Sequence, residues 1–319
     1  YYPTPGGVET RTYYLASEFA RRHEVTVYTR SAAGRDLASF NHEVVEFSYS
    51  RRQHTRGLDF LQKVWPRIKS ERFDVVGLEQ LGIHNLLALS GVANLYAITI
   101  HGLDVVDASS LLRPIYARVV NRRNVRVVSV SDYLRKAFVQ DYRLPQTAVY
   151  VVEHGVKTGL FRPVKPKKED LFLFVGRFVP EKDPSSCVEA VRILRDKYGI
   201  DSAKLKMIGT GPLLENVREL LNRYRLNENI ELLGEIRNVE LPTYYSEAMA
   251  TICPRLAGAH TGHVLLESMA CGTPLIVGDV DETTLPHISS CAFLVPPSDP
   301  AATAQSMREI HLSPRKAQE

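Results

Sequence analysis

The sequence has few cysteines, one tryptophan and no long apolar run, and each shortage excludes something. Its four cysteines, Cys187, Cys253, Cys271 and Cys291, show no Cys-x-x-Cys spacing, and three stand in apolar surroundings. A disulfide framework and a thiolate metal site are therefore not encoded, and a reducing compartment, the cytoplasm, is expected. The longest nearly apolar stretch, Leu86 to Ile100, is broken by Ser90, Gly91, Asn94 and Thr99, which removes a membrane-spanning helix. No basic start leads into an apolar stretch, so no signal peptide is visible. No segment is of low complexity, and no His-Glu-x-x-His or comparable spacing suggests a metal ion.

What is present is a chain of 319 residues, 44% hydrophobic and 24% charged, longer than one hydrophobic core normally organises. Two domains are expected. The net charge of +4 is unevenly placed: up to residue 156 there are 20 Lys+Arg against 15 Asp+Glu, and beyond it 20 against 21. Ser48 to Arg72 carries Arg51, Arg52, Arg56, Lys63, Arg67, Lys69 and Arg72 against Asp59 and Glu71, interleaved with Tyr49, Phe60 and Trp65. Arg118, Arg122 and Arg126 add a second basic line at helical spacing. Arg mixed with Trp and Phe suits a lipid interface better than duplex DNA. Peripheral contact with an anionic membrane through Arg51, Arg52, Arg56 and Trp65 is thus expected, nucleic acid is not, and the competing reading is a solvated basic face.

Short β-branched runs alternate with longer amphipathic ones throughout, the pattern of parallel sheets covered by helices. In the first half the runs are Val25 to Thr29, Val44 to Phe47, Phe73 to Leu78, Tyr96 to Ile100, Val125 to Val130 and Val149 to Val152. In the second they are Leu171 to Val175, Leu205 to Ile208, Ile230 to Leu233, Met249 to Cys253, Pro274 to Val277 and Phe293 to Val295. Gly155 to Asp170, with Gly159, Pro163, Pro166 and the run Lys165, Lys167, Lys168, reads as a linker by composition. The expected architecture is α/β: two Rossmann-like doubly wound domains, residues 1–156 and 157–319, facing across a cleft where open parallel sheets bind ligands. Tyr1 to Gly7 reads as a loop after a strand that is missing, and Ser313 to Glu319 trails off without closing helices.

Five segments are candidates for chemistry. Gly6-Gly7-Val8-Glu9 opens a helix, where backbone amides can approach a phosphate or sugar; a mere tight turn is the alternative. Gly176-Arg177-Phe178-Val179-Pro180-Glu181-Lys182-Asp183 sets a guanidinium and an ammonium in one loop after a strand, a diphosphate clamp without metal, unless Glu181 and Asp183 are their partners. Gly209-Thr210-Gly211-Pro212 is a strand-to-helix turn that permits nucleotide approach but lacks the third glycine of a dinucleotide site. Glu267 lies in a helix among apolar neighbours, where a buried carboxylate needs partners such as a ribose diol; the alternative is a solvent-facing Glu. His101 ends a strand beside Gly102 and Asp104 and is suited to donate to sugar hydroxyls. His154, His260 and His263 are weaker candidates.

Taken in order, Pro5-Gly6-Gly7-Val8-Glu9, Thr99-Ile100-His101-Gly102, Val128-Ser129-Val130-Ser131, His154-Gly155-Val156 with Phe161-Arg162-Pro163, Val175-Gly176-Arg177 with Glu181-Lys182, Gly209-Thr210-Gly211-Pro212 and Leu266 to Pro274 resemble the family 4 retaining glycosyltransferases (glycosyl transferases group 1) of GT-B fold. The resemblance implies a hexosyl transfer from a UDP- or GDP-sugar, a substrate and not a cofactor, to a saccharide or lipid-linked acceptor, without metal. It implies that His101, Arg177 and Lys182 are catalytic: His101 meets the donor sugar, and Arg177 and Lys182 hold the diphosphate. It implies further that Gly6, Gly7, Gly211, His260, Thr261, Gly262 and Glu267 bind the donor, Glu267 through the ribose. One position departs from the pattern: the first glutamate of the family's C-terminal signature falls at Ala259, followed by His260, Thr261 and Gly262. That substitution keeps open a low-turnover or partner-activating nucleotide-sugar-binding protein of the same fold, and the two-lobed architecture itself leaves a nucleotide-sugar epimerase as a lesser alternative.

Overall fold

All twelve apolar runs form β-strands, displaced by no more than a few residues at their ends. The computed structural model describes residues 7–31, 37–48, 56–79, 83–102, 113–254, 262–278, 288 and 291–313. The chain divides into two compact units, Tyr1–His154 and Gly155–Glu319.

The first unit runs α1 (Gly7–Phe19), β1 (Thr26–Arg30), β2 (Glu43–Phe47), α2 (Arg56–Ile68), β3 (Phe73–Glu79), β4 (Ala93–Ile100), α3 (Arg113–Val120), β5 (Val125–Ser129), α4 (Asp132–Tyr142) and β6 (Val149–Val151). β1 and β2 pair in parallel, and β3, β4, β5 and β6 form a parallel sheet in that order. β4 is an inner strand of that sheet, and Tyr96, Ile98 and Ile100, on one face of the pleat, are wholly buried. Register places Glu79 at the end of β3 opposite Thr99 of β4, two residues before His101. The expected helical line of arginines does not form. α3 stops at Val120, so Arg122 falls in the following turn and Arg126 on β5, where its guanidinium turns back to the Arg123 and Val125 carbonyls.

The second unit runs β7 (Leu171–Val175), α5 (Pro184–Tyr198), β8 (Lys204–Ile208), α6 (Leu214–Tyr224), β9 (Ile230–Gly234), α7 (Leu241–Glu247), β10 (Ala250–Cys253), α8 (His263–Ala270), β11 (Leu275–Gly278), β12 (Ala292–Val295) and α9 (Pro300–Leu312). Its six parallel strands lie in the order β12-β11-β10-β7-β8-β9. Strand order reverses between β7 and β10, which makes their carboxyl ends the topological switch point. β7 is apolar at every position because both its faces are covered. Phe172 and Phe174 join Val188, Val191, Leu194 and Met207 on one side, while Leu173 joins Phe161, Tyr245 and Cys271 on the other. α5 starts sharply, with Pro184 in its first turn and the Asp183 carboxylate accepting from the Ser186 amide at 3.3 Å.

The segment Gly155 to Asp170 is more than a linker. Phe161 is buried in the second core, Lys168 pairs with Glu247 at 2.7 Å, and the Lys167 ammonium donates to the Ala248 carbonyl and the Thr273 hydroxyl, each at 2.9 Å. Burial holds the Lys167 ammonium down at about 8. Composition marked this stretch as polar; the apolar Phe161 and the lysine stems fasten it to the second unit.

Candidate functional site

The loop from Gly176 to Lys182 leaves the carboxyl end of β7 at the switch point, and its shape is set by the turn after β8. The Gly176 amide donates to the Ile208 carbonyl at 3.0 Å, Phe178 to Thr210 at 2.9 Å, and Leu213 back to Phe178 at 2.9 Å. A Cβ at Gly209 would stand 2.0 Å from the Gly176 oxygen, and one at Gly211 would stand 2.5 Å from the Phe178 oxygen. Glycine is therefore required at both positions by the protein's own backbone, whatever ligand approaches. Phe178 is fully buried and meets Phe174 edge to face at 5.7 Å, which anchors the loop at its middle.

On this anchored loop Arg177 is exposed and Lys182 half-buried, and among the described residues neither has a carboxylate partner. The ion pairing weighed from sequence does not occur. Asp183 is occupied in capping α5, and Glu181 points its charge to solvent without either cation. Lys182 is close to the end of β10: burial pushes the Cys253 thiol up to about 11, with the Lys182 ammonium acting against that rise. Two cations without counter-ions at the ends of the two switch-point strands are arranged for an anionic ligand.

Glu267 sits in α8 and is 6% exposed, so the solvent-facing alternative is removed. The Tyr245 hydroxyl donates to its Oε2 at 2.8 Å, and Asn238 also bonds it. Burial outweighs both bonds and raises the carboxyl to about 7. Gly262, in extended conformation just before α8, offers no side-chain cap to the first turn. Ala259, His260 and Thr261 lie outside the described residues, as do Gly6, Arg51, Arg52, Asp104 and the side chain of Arg56. Gly7 is the exposed first residue of α1.

In the first unit His101 follows β4 directly and is 6% exposed. Its Nε2 bonds Glu79 Oε2 at 2.6 Å, and the same oxygen accepts from Arg11 of α1 at 2.9 Å. Burial works to raise the Glu79 carboxyl, but the bonds from His101 and Arg11 and their charge bring it below the usual carboxylate value. The His154 ring stacks on His101 with centroids 6.0 Å apart and planes 17° from parallel. Neither Glu79 nor Arg11 was singled out from sequence. The available signal was a glutamate closing an apolar strand at the carboxyl edge of a parallel sheet.

The glycosyl transferases group 1 family model matches residues 158–319, just over half of the chain. The chain belongs to this family. The Glycosyltransferase Family 4 model matches residues 5–160 of this group 1 member. It is 28% identical over 209 residues to the GDP-mannose-dependent alpha-(1-6)-phosphatidylinositol monomannoside mannosyltransferase of Mycobacterium tuberculosis, covering 60% of this chain and 53% of that protein. That match thus spans about half the length of the mycobacterial relative. The protein of the same name from Mycolicibacterium smegmatis is 24% identical over 348 residues, covering 99% of this chain and 88% of that one. Among solved structures, Anabaena HepE in complex with UDP aligns at a TM-score of 0.76 over 99% of this chain and 89% of its own, with 15% identity. The fold of this group 1 glycosyltransferase is GT-B, its two units each Rossmann-like.

Proposed function

We propose that this chain is a retaining glycosyltransferase that moves a hexosyl group from a UDP- or GDP-sugar to a saccharide or lipid-linked acceptor. The observation that carries the reading is the pair of cations, Arg177 and Lys182, without carboxylate partners on a loop held rigid at the switch point of the second unit. Negative charge grows on the departing nucleoside diphosphate as the glycosidic bond breaks. A guanidinium fork and a compact ammonium fixed in advance stabilise that charge with little reorganisation. Glu267, once ionised, has two oxygens for the ribose hydroxyls, and His101 meets a hydroxyl of the transferred sugar. Gly7 opens α1, and Gly6 and Gly7 are assigned to the phosphate side of the donor. With the leaving group neutralised by side chains, the reaction needs no divalent cation.

A lipid-linked or membrane-held acceptor is favoured by the surface of the first unit. Trp65 on α2 is 41% exposed, and Arg67, Lys69 and Arg72 beside it are exposed with no acidic partner among the described residues. Lys63, by contrast, is engaged by Asp59 and the Ser48 carbonyl. The mycobacterial relatives are named for a phosphatidylinositol-based acceptor. No described helix is long and apolar enough to cross a membrane; the contact proposed is peripheral, through basic and aromatic side chains, at a cytoplasmic membrane face. Incubating the protein with UDP- and GDP-hexoses, with and without EDTA, and following free nucleoside diphosphate and extended acceptor tests the reading. Transfer that survives EDTA supports it. Nucleotide binding without hydrolysis or transfer would instead favour the low-turnover protein suggested by Ala259.

A further inference from the structure

We infer that Glu79 is a positioning residue for His101: its carboxylate commits Nε2–H and, in the neutral imidazole, leaves Nδ1 as the hydrogen-bond acceptor for a hydroxyl of the bound sugar. The inference rests on the reading of the chain as a glycosyltransferase and adds a specific polarity to its histidine.

The argument starts from the carboxylate. Glu79 is held ionised by Arg11 and His101, and an ionised carboxylate only accepts. The hydrogen in the 2.6 Å contact therefore sits on His101 Nε2. A neutral imidazole carries one hydrogen, so Nδ1 is left with a lone pair. That atom is buried and has no hydrogen-bond partner among the described residues, and buried polar atoms without partners are rare enough to demand a reason. A sugar hydroxyl turned toward Nδ1 supplies the missing donor. The expectation that this histidine donates to the sugar is thus reversed for the neutral ring.

Three elements fix the ring. Parallel register sets Glu79 opposite Thr99, so the sheet itself brings the carboxylate beside His101. Arg11, on the second turn of α1, shares the accepting oxygen and ties that helix to the end of β3. The His154 ring lies nearly parallel to the imidazole, with centroids 6.0 Å apart. Arg11, Glu79 and His154 are the titratable groups seen against this ring among the described residues, and none of them reaches Nδ1.

The test pairs a ring signature with kinetics. In protein labelled with 15N-histidine, the His101 signals, assigned by their loss in His101→Gln, should report the Nε2–H tautomer. Glu79→Ala should give a tautomer mixture and lower kcat by about 100-fold, with the donor KM changed by less than about threefold, as expected when a reacting geometry is loosened and not abolished. Glu79→Gln keeps an oxygen that accepts from Nε2–H and should restore the tautomer and most of kcat. If Glu79→Ala does not fold, the Gln variant carries the test alone through its ring signals. An Nδ1–H tautomer in the wild type or in Glu79→Gln would overturn the inference, as would an imidazolium with both nitrogens protonated at the assay pH, or a folded Glu79→Ala with wild-type kcat. A wild type that shows the Nε2–H tautomer, loses it in Glu79→Ala, and yet transfers no sugar would support the positioning and sink the glycosyltransferase reading instead.

Discussion

Replacing Glu267 by glutamine should make the protein more stable at alkaline pH and worse at holding its nucleotide, and the size of the first effect follows from burial. The carboxyl is raised from 4.5 to about 7, so the folded chain takes up a proton that the unfolded chain lacks between those values. Where the folded state binds more protons, stability falls as pH rises. The loss begins near the ordinary carboxyl value and is complete above about 7. The gap corresponds to roughly 3 kcal/mol, and because Glu267 is only 6% exposed little of it is screened by solvent. Glutamine keeps an oxygen to accept from the Tyr245 hydroxyl and cannot ionise, so Glu267→Gln should come within about 1 kcal/mol of the parent at pH 5 and exceed it by up to ~3 kcal/mol at pH 8. For a unit of this size that is roughly 5 to 10 °C in Tm, within reach of thermal melts at the two pH values. Binding should move the other way: UDP or GDP affinity, measured by calorimetry at pH 8, should drop by about tenfold as the ribose loses an ionised acceptor. An offset in Tm that is the same at pH 5 and pH 8 would refute the reasoning, because it would mean that the Glu267 proton is not what burial controls.

Three further outcomes follow from the geometry. Arg177→Ala and Lys182→Ala should each cost roughly 2 to 4 kcal/mol in turnover with smaller changes in donor affinity, and steady-state rates within twofold of wild type would take that residue out of the site. Gly211→Ala forces a Cβ to 2.5 Å from the Phe178 carbonyl, a backbone atom that cannot swing aside; it should lower stability by about 2 kcal/mol or more by denaturant melt, and an unchanged midpoint would show that the turn is looser than its contacts imply. Neutralising Arg67, Lys69 and Arg72 together should weaken sedimentation with anionic vesicles at low salt, at about 1 kcal/mol for each engaged charge, while donor hydrolysis persists; equal binding of the wild type to neutral vesicles would discard the membrane contact.

The sheets were legible because each strand carries its own signal. Leu171 to Val175 is apolar at every residue and needs no distant information to be read as a buried parallel strand. The cations of the Gly176 to Lys182 loop were legible for the same local reason, since a strand followed by Gly-Arg is readable from neighbouring residues alone. What sequence could not supply was competition between partners. Asp183 looked like a counter-ion for Lys182 until the start of α5 claimed it as a cap, and Glu267 looked as fit for solvent as for burial until Tyr245 faced it.

The same limit explains both the ambiguous glycines and the missed glutamate. At Gly209 and Gly211 the sequence says that a side chain is absent, but a ligand phosphate and a neighbouring carbonyl leave the same mark in one chain of letters. Only the 2.0 Å and 2.5 Å approaches to Gly176 and Phe178 identify the carbonyls as sufficient cause. Glu79 is the converse case. It stands 22 residues from His101 and 68 from Arg11, and no spacing rule joins positions so far apart. The connection exists because β3 and β4 are adjacent parallel strands in a register that sets Glu79 against Thr99, and because α1 returns Arg11 to the carboxyl end of that sheet. A histidine at a strand end is therefore only half of a chemical statement. Which of its nitrogens is free is decided by the neighbouring strand, and that decision is what turns His101 from a general hydrogen-bonding residue into an acceptor of defined polarity.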